Sequence, residues 1–261
     1  MSLKTNKKEI PYYESNTHKI FNCDNLHLLK QIEDKKIDLI YSDILFNTGK
    51  NFPDYSDNLG SPQEAIKWYR PRLVEMKRVL KNTGNLYLHC DYHLSHYLKV
   101  ELDNIFGIDL FINEIIWWYN SAPRKKKSFP ERHQTILRYA KTKDFYFDDE
   151  NEEIRVEYSP SAPRGYEKEH YYNPKGKVMD DVWRIWMLGQ NDKTERVGYS
   201  SQKPKKLLYP ILNSSCPEGG IVADFFMGSG TTAEACKDKG LAFIGCDINK
   251  KACEITKNRI K

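Results

Sequence analysis

Asp224-Phe225-Phe226-Met227-Gly228-Ser229-Gly230-Thr231-Thr232 is the stretch on which the reading of this chain turns. It follows a short apolar run over 220–225 and precedes a helical pattern over 231–239. Glycines at a strand-to-helix turn let the backbone approach a ligand closely, and the helix beyond them presents free N–H groups. The next strand, predicted over 241–247, ends in Asp247, placed to take the two hydroxyls of a ribose. A lone Gly-x-Gly turn can serve packing alone. Two strand-terminal aspartates around it favour a nucleoside cofactor. No Lys-Ser/Thr follows the glycines, which argues against a nucleotide triphosphatase.

Outward from this turn, short β-type runs alternate with helical patterns, as in an α/β domain with a mostly parallel sheet. Residues 37–43 (IDLIYSD), 84–91 (GNLYLHCD) and 113–119 (NEIIWWY) read as strands, and 135–147 as two short strands around 141–144. Helices are predicted over 62–80 and 93–106, from Pro204 to about residue 214, and after the capping residue Asn249. Between 148 and 198 the periodicity fails and Pro, Gly, Tyr and charged residues dominate, the pattern of an insertion. Residues 1–147 and 199–261 then form one domain.

Composition narrows the classes. With 39% hydrophobic and 30% charged residues, the 261-residue chain is neither disordered nor collagen-like. No apolar run approaches a membrane span, and no hydrophobic signal core opens the chain, so a cytoplasmic, nucleoid-associated protein is expected. Six cysteines lie scattered without a Cys-x-x-Cys pair or a His/Cys cluster; reduced thiols and no metal are expected. A net charge of +5 is a weak pointer to a polyanionic partner.

A second segment, Asp43-Ile44-Leu45-Phe46-Asn47-Thr48-Gly49, leaves a strand at its carboxyl end, where open α/β sheets place ligands. Together the two segments resemble the S-adenosylmethionine-dependent DNA amino-methyltransferases. In that family an Asp-Pro-Pro-Tyr/Phe tetrapeptide follows one strand and an Asp-x-Phe-x-Gly-x-Gly-Thr-Thr segment binds the cofactor. The tetrapeptide comes first here, the order of the family's beta group. Tyr199-Ser-Ser-Gln202-Lys203-Pro204 is similar to the family's Thr-Gln-Lys-Pro element, and Tyr87-Leu-His-Cys-Asp91 with Ser95-His-Tyr-Leu-Lys99 to its strand and helix after the catalytic loop. Cys23-Asp24 matches the segment that contacts the cofactor's adenine.

The resemblance implies a permuted Rossmann-like fold: a mostly parallel seven-stranded sheet with helices on both faces. It implies methyl transfer from S-adenosylmethionine, leaving S-adenosylhomocysteine, to adenine N6 in duplex DNA after base flipping. Asp43 and the Ile44 carbonyl would accept the amine's two N–H groups, and Phe46 would stack on the base. The cofactor would be held by Cys23, Asp24, Asp43, Lys203, Asp224, Phe225, Phe226, Gly228, Ser229, Gly230, Thr231, Thr232 and Asp247. Asp43 favours adenine, because members modifying cytosine N4 more often begin the tetrapeptide with Ser. Ile44-Leu45 replaces Pro-Pro, so two fixed φ angles are lost and restoring the prolines is expected to stiffen the segment. Three alternatives stay open: N4-cytosine transfer, RNA methylation, and a catalytically weakened DNA-binding or partner subunit. A homodimer and a restriction endonuclease counterpart also belong to the family pattern.

Between residues 120 and 145 lie eight Lys or Arg residues against Glu131 and Asp144. Arg124, Lys125, Lys126, Lys127, Arg132 and His133, beside Trp117, Trp118, Tyr119 and Phe129, are candidate DNA contacts. A solvated lysine loop beside core tryptophans is the competing reading. By resemblance, residues 148–198 carry target recognition, with Arg155, Arg164, Lys168, Lys175 and Lys177 as candidate contacts.

Overall fold

The computed structural model describes residues 8–120, 125–158, 173–189 and 192–261. Along the chain run β1 (Tyr13–Glu14), β2 (His18–Asn22), α1 (Asn25–Leu29), β3 (Ile37–Asp43), β4 (Lys50–Asn51) and β5 (Ser56–Asp57). Next come α2 (Pro62–Val79), β6 (Leu80–Cys90), α3 (Ser95–Phe106), β7 (Phe111–Trp118) and β8 (His133–Ala140). The predicted insertion supplies β9 (Arg155–Val156), β10 (Lys177–Val178) and β11 (Val182–Arg184). The chain closes with α4 (Lys205–Ser215), β12 (Ile221–Asp224), α5 (Thr231–Asp238), β13 (Ala242–Asp247) and α6 (Lys250–Ile260).

Among the described residues nine strands form the main sheet, in the order β1-β2-β13-β12-β3-β6-β8-β7-β11. The seven inner strands match the expected number, with β2 in place of the strand expected near 145–147. The two additional ones are edge strands: β1 turns back antiparallel on β2, and β11 pairs parallel with β7. From β2 through β13, β12 and β3 to β6 every pairing is parallel. β8 runs against both its neighbours. Strand β3 shows why the centre holds: six of its seven residues are buried, the pattern of a strand covered on both faces. One core packs α1, α2 and α3 through Leu28, Tyr69, Leu73 and Leu98; the other packs α4, α5 and α6 through Leu207, Ile211, Ala233 and Cys253. Helix α2 starts with a capping box, in which Ser61 and Glu64 satisfy each other's backbone N–H groups, and with Pro62 in its first turn.

Three readings of the sequence need correction. β2 and α1 carry too few residues to stand out by periodicity and went unread. The second strand expected near 145–147 does not form; Tyr146 N–H bonds the Thr83 carbonyl and Asn85 bonds the Tyr146 carbonyl, without a ladder. Trp117 is not a surface aromatic: it is fully buried and donates its indole N–H to the Ile185 carbonyl, 2.8 Å away.

Buried Asp38 ties three parallel strands at their starts, accepting from Lys81 at 2.8 Å and from Ile221 N–H at 2.9 Å. Asp38→Ala leaves that N–H unpaired and is expected to cost about 1–3 kcal/mol in urea unfolding. An unchanged midpoint would show that β12 docks without this acceptor.

Candidate active site

The parallel strands β2, β13, β12, β3 and β6 all end at one edge of the sheet, and an acidic residue stands at or just after each end: Asp24, Asp247, Asp224, Asp43 and Asp91. The loops leaving these ends enclose a cavity of about 560 Å³, within the roughly 300–1,000 Å³ usual for small-molecule sites. Cys23, Asp24, Asp43, Ile44, Phe46, Lys203, Asp224, Phe225, Phe226, Gly228, Ser229, Thr231, Thr232 and Asp247 all line it. Thus two segments far apart in sequence meet because β3 and β12 are neighbours.

Gly230 stands apart. Its φ is +75° and a Cβ there would lie 2.4 Å from Thr256 Oγ1, so glycine is required for the turn and for packing α6. Gly228 also has positive φ, and its N–H donates to Asp247 at 2.9 Å. The other Asp247 oxygen accepts Asn249 N–H at 2.7 Å. Asp247 therefore joins two loop backbones while keeping lone pairs toward the cavity. Asp224 accepts from Phe226 N–H at 3.0 Å and Thr232 Oγ1 at 2.6 Å, fixing the glycine turn. Asp24 caps α1 and pairs with Arg72, itself stacked 3.4 Å over Trp68. Phe225 belongs to the core, and Asn25 holds its carbonyl.

Asp43 differs from these braced aspartates. One carboxylate oxygen sits 2.5 Å from Lys203 Nζ, and the other is buried without a hydrogen-bond partner. Burial raises the Asp43 pKa above its ordinary value, against the opposing pull of Lys203. Phe46 forms the adjoining wall, 5.2 Å from Lys203 Nζ and 5.9 Å from the His89 ring.

The segment is braced without prolines. Ile44 is 4% exposed and its N–H donates to the His89 carbonyl; Tyr69 OH donates to the Leu45 carbonyl at 2.8 Å. Buried Asp57 accepts the N–H groups of Asn47 and Thr48 and the Thr48 hydroxyl. The β4–β5 ribbon then crosses to the far side of the cavity. There Asp54 meets Ser200 and Lys251, its carbonyl accepts from Asn249, and Tyr55 stacks on Tyr199.

The cavity is acidic. Asp24, Asp43, Asp54, Asp57, Asp91, Asp224 and Asp247 line it, against Lys203 and Arg196. Such a site fits a nucleoside carrying positive charge and disfavours a polyphosphate. Among the described residues no group of His, Cys, Asp and Glu is placed to hold a metal ion.

The basic segment is less concentrated than its sequence. Arg124 lies outside the described residues. Lys125 pairs with Glu131, Lys126 and Lys127 are exposed, Arg132 reaches Asn120, and His133 is exposed at the start of β8. Arg138 is buried against Asn85 and Phe147, and Lys141 caps carbonyls of Arg78 and Leu80, so neither faces a nucleic acid. Arg155 is likewise engaged, by Glu150 and the Gly176 carbonyl. Lys177 pairs with Asp180, and Lys175 is exposed. Arg164 and Lys168 lie outside the described residues. Sequence reasoning missed Arg72 and Asp57, whose partners come from the fold, and Tyr41 and Gln134, which the fold brings to the cavity lining. His89 stood inside a quoted motif with nothing to mark it.

Burial raises the Asp224 carboxyl from 3.8 to about 7, with Thr232 and the Phe226 N–H opposing. Between those values the folded state holds a proton that the unfolded chain has released, so this group's contribution to stability falls as pH rises. Asp224→Asn is expected to flatten the stability loss between about pH 4 and about pH 7. Parallel pH curves for the two proteins in denaturant titrations would refute the assignment.

Comparisons with known proteins agree with this geometry. The N6/N4 methyltransferase family model, described as DNA methylase, matches residues 37–258. The type II methyltransferase M.HpaI of Haemophilus parainfluenzae is 32% identical over 240 residues, covering 91% of this chain and 73% of its own. Among solved structures, the cytosine-N4-specific PvuII DNA methyltransferase superposes with a TM-score of 0.73 at 15% identity, over 98% of this chain and 90% of that one. The M1.HpyAVI–SAM complex gives 0.62 at 19% identity, over 94% and 99%. A family match across most of the chain, on a sheet whose two motif segments share one cavity, shows that this protein belongs to the N6/N4 DNA methylases.

Proposed function

We propose that this protein methylates the exocyclic N6 amine of adenine in duplex DNA, using S-adenosylmethionine. The observation that carries the proposal is the unpartnered, buried oxygen of Asp43 facing a cavity walled by Phe46. A buried acceptor without a donor is costly unless a ligand supplies one, and an exocyclic amine supplies N–H groups. Asp43 accepts one of them and the Ile44 carbonyl the other, drawing the nitrogen lone pair out of conjugation. Phe46 stacks on the extruded ring. Lys203 holds the second Asp43 oxygen and so orients the carboxylate. S-adenosylmethionine supplies an electrophilic methyl group on a positively charged sulfur. The acidic lining suits that charge, with Asp247 and Asp24 at the nucleoside end. The M1.HpyAVI–SAM complex, on the same fold, supports the choice of cofactor.

Adenine is favoured by the aspartate at position 43. Cytosine N4 is the second reading, favoured by the likeness to the PvuII enzyme. Lys126, Lys127 and His133 are proposed to contact phosphates, because they are exposed on the segment leading into Gln134 at the cavity. Residues 148–198 are proposed to read the target. Sequencing modified bases in DNA from cells with and without the protein reads activity, base and site together; absence of any new methylated base would refute the proposal.

Asp43→Ala is expected to lower methyl transfer by about a hundredfold or more while calorimetric cofactor affinity stays within a few-fold. A parallel loss of affinity would instead make Asp43 a cofactor residue alone. Ile44→Pro is expected to slow the enzyme, because the segment is already braced by its surroundings. It deletes the N–H that bonds the His89 carbonyl, a loss of about 1–3 kcal/mol in unfolding. A faster, equally stable Ile44→Pro protein would show that flexibility limits the rate after all.

A further inference from the structure

Arg259 stands on α6 outside the cavity lining, and its side chain is only 5% exposed. Its Nη1 donates to the Ser229 carbonyl at 2.8 Å and to Thr231 Oγ1 at 3.3 Å, the two residues that flank Gly230 in the cofactor turn. Its Nε donates to Glu234 of α5 at 2.6 Å. Glu234 in turn accepts from Lys205 Nζ at 3.2 Å, and Asp238 holds the same ammonium at 2.8 Å. One guanidinium therefore reaches both the glycine turn and, through Glu234, the first residue of α4. The proposed chemistry does not use it.

Donor counts fix the direction of these bonds. A guanidinium only donates and a carbonyl only accepts. The single Thr231 hydroxyl proton therefore goes to the Lys203 carbonyl, 3.1 Å away, while Arg259 donates to the same hydroxyl oxygen. Ser229 Oγ, 3.2 Å from Thr231 Oγ1, is left to donate to it as well. Thr231 and Lys203 are both buried, so a bond lost here is not regained from bulk water. Arg259 thus meets the Lys203-Pro204-Lys205 corner by two arms: Thr231 to the Lys203 carbonyl, and Glu234 to the Lys205 ammonium. The corner's third bond leads inward, from Lys203 Nζ to Asp43 at 2.5 Å.

A lysine ammonium rides on a flexible four-carbon stem, so its place depends on how firmly the backbone beneath it is held. We infer that Arg259 is a positioning residue for methyl transfer: through Thr231 and Glu234 it holds the Lys203 corner, and so keeps the Asp43 carboxylate oriented beside the turn at which the cofactor binds. The inference rests on the proposed function and deepens it, since it makes the donor's turn and the acceptor's carboxylate parts of one polar chain. The groups facing Asp43 are Lys203, which favours its charged form; Asp57 and Asp91, which oppose it; Asp224, whose own ionisation Asp43 opposes; and the buried, neutral His89 imidazole 3.7 Å away. Among these, Lys203 is the one joined to Arg259 by the bonds described. A loosened corner therefore leaves Asp43 harder to ionise, and a protonated Asp43 has lost an acceptor for the amine.

The test measures single-turnover methylation of the duplex site identified by sequencing, at saturating S-adenosylmethionine and across pH. Arg259→Met is expected to slow the transfer step about ten- to a hundredfold and to move the acid limb of its pH profile to higher pH. Thr231→Val keeps the side-chain shape and removes only the hydroxyl links; it should produce the same two changes, and Thr231→Ser should restore both. Because the two residues lie on one chain, Arg259→Met combined with Thr231→Val should be little slower than the slower single variant. If Arg259→Met does not fold, Thr231→Val and Thr231→Ser decide. Wild-type rates and an unmoved acid limb at saturating cofactor, whatever happens to cofactor affinity or melting temperature, would overturn the inference and leave Arg259 a brace of the turn alone. A slower rate with an unmoved acid limb, or additive losses in the double variant, would overturn it equally; in each case the methyltransferase reading stands. A wild-type protein that methylates no duplex would overturn both.

Discussion

Burying carboxylates at the ends of parallel strands is the constraint on which this architecture depends. Desolvation raises the pKa of Asp43, Asp224 and Asp247 alike, so each must find donors or lose its charge. Asp224 and Asp247 find them in backbone N–H groups and a threonine, and in doing so fix the turn at Gly228 and Gly230. Asp57 does the same for the segment after Phe46. The acids therefore shape the loops first and face the cavity second. Asp43 alone among these four keeps a buried oxygen without a donor, which sets it apart from the braced ones.

Much of this was legible in the chain. Continuous apolar runs ending in aspartate, such as 37–43, predict buried parallel strands because alternation is lost when both faces are covered. The glycine turn was legible because positive φ restricts the residue choice. What could not be read was partnership. Nothing in the sequence pairs Arg72 with Asp24, or sets the Tyr41 hydroxyl against His89, because those contacts join elements brought together only by the fold. The basic run between 120 and 145 misled for a related reason. Charge density along a chain is not charge density on a surface, and Arg138 alternates inward on β8 while Lys141 serves carbonyls.

The segment that begins at Asp43 illustrates two ways of restricting a backbone. Proline does so through its own ring, whereas Ile44-Leu45 does so through surroundings: a strand carbonyl for one N–H, a tyrosine for one carbonyl, and a buried isoleucine side chain. The second way makes the segment's geometry depend on β6 and α2, so damage to distant packing reaches the cavity.

The acidity of the cavity also bears on the end of a turnover. On the proposed chemistry the donor arrives with a positive sulfur and departs as a neutral thioether, so the electrostatic attraction that favours entry is gone once the methyl group has moved. Among the described residues the lining carries more aspartates than cations, so the charge that this lining favours is one that the product no longer has.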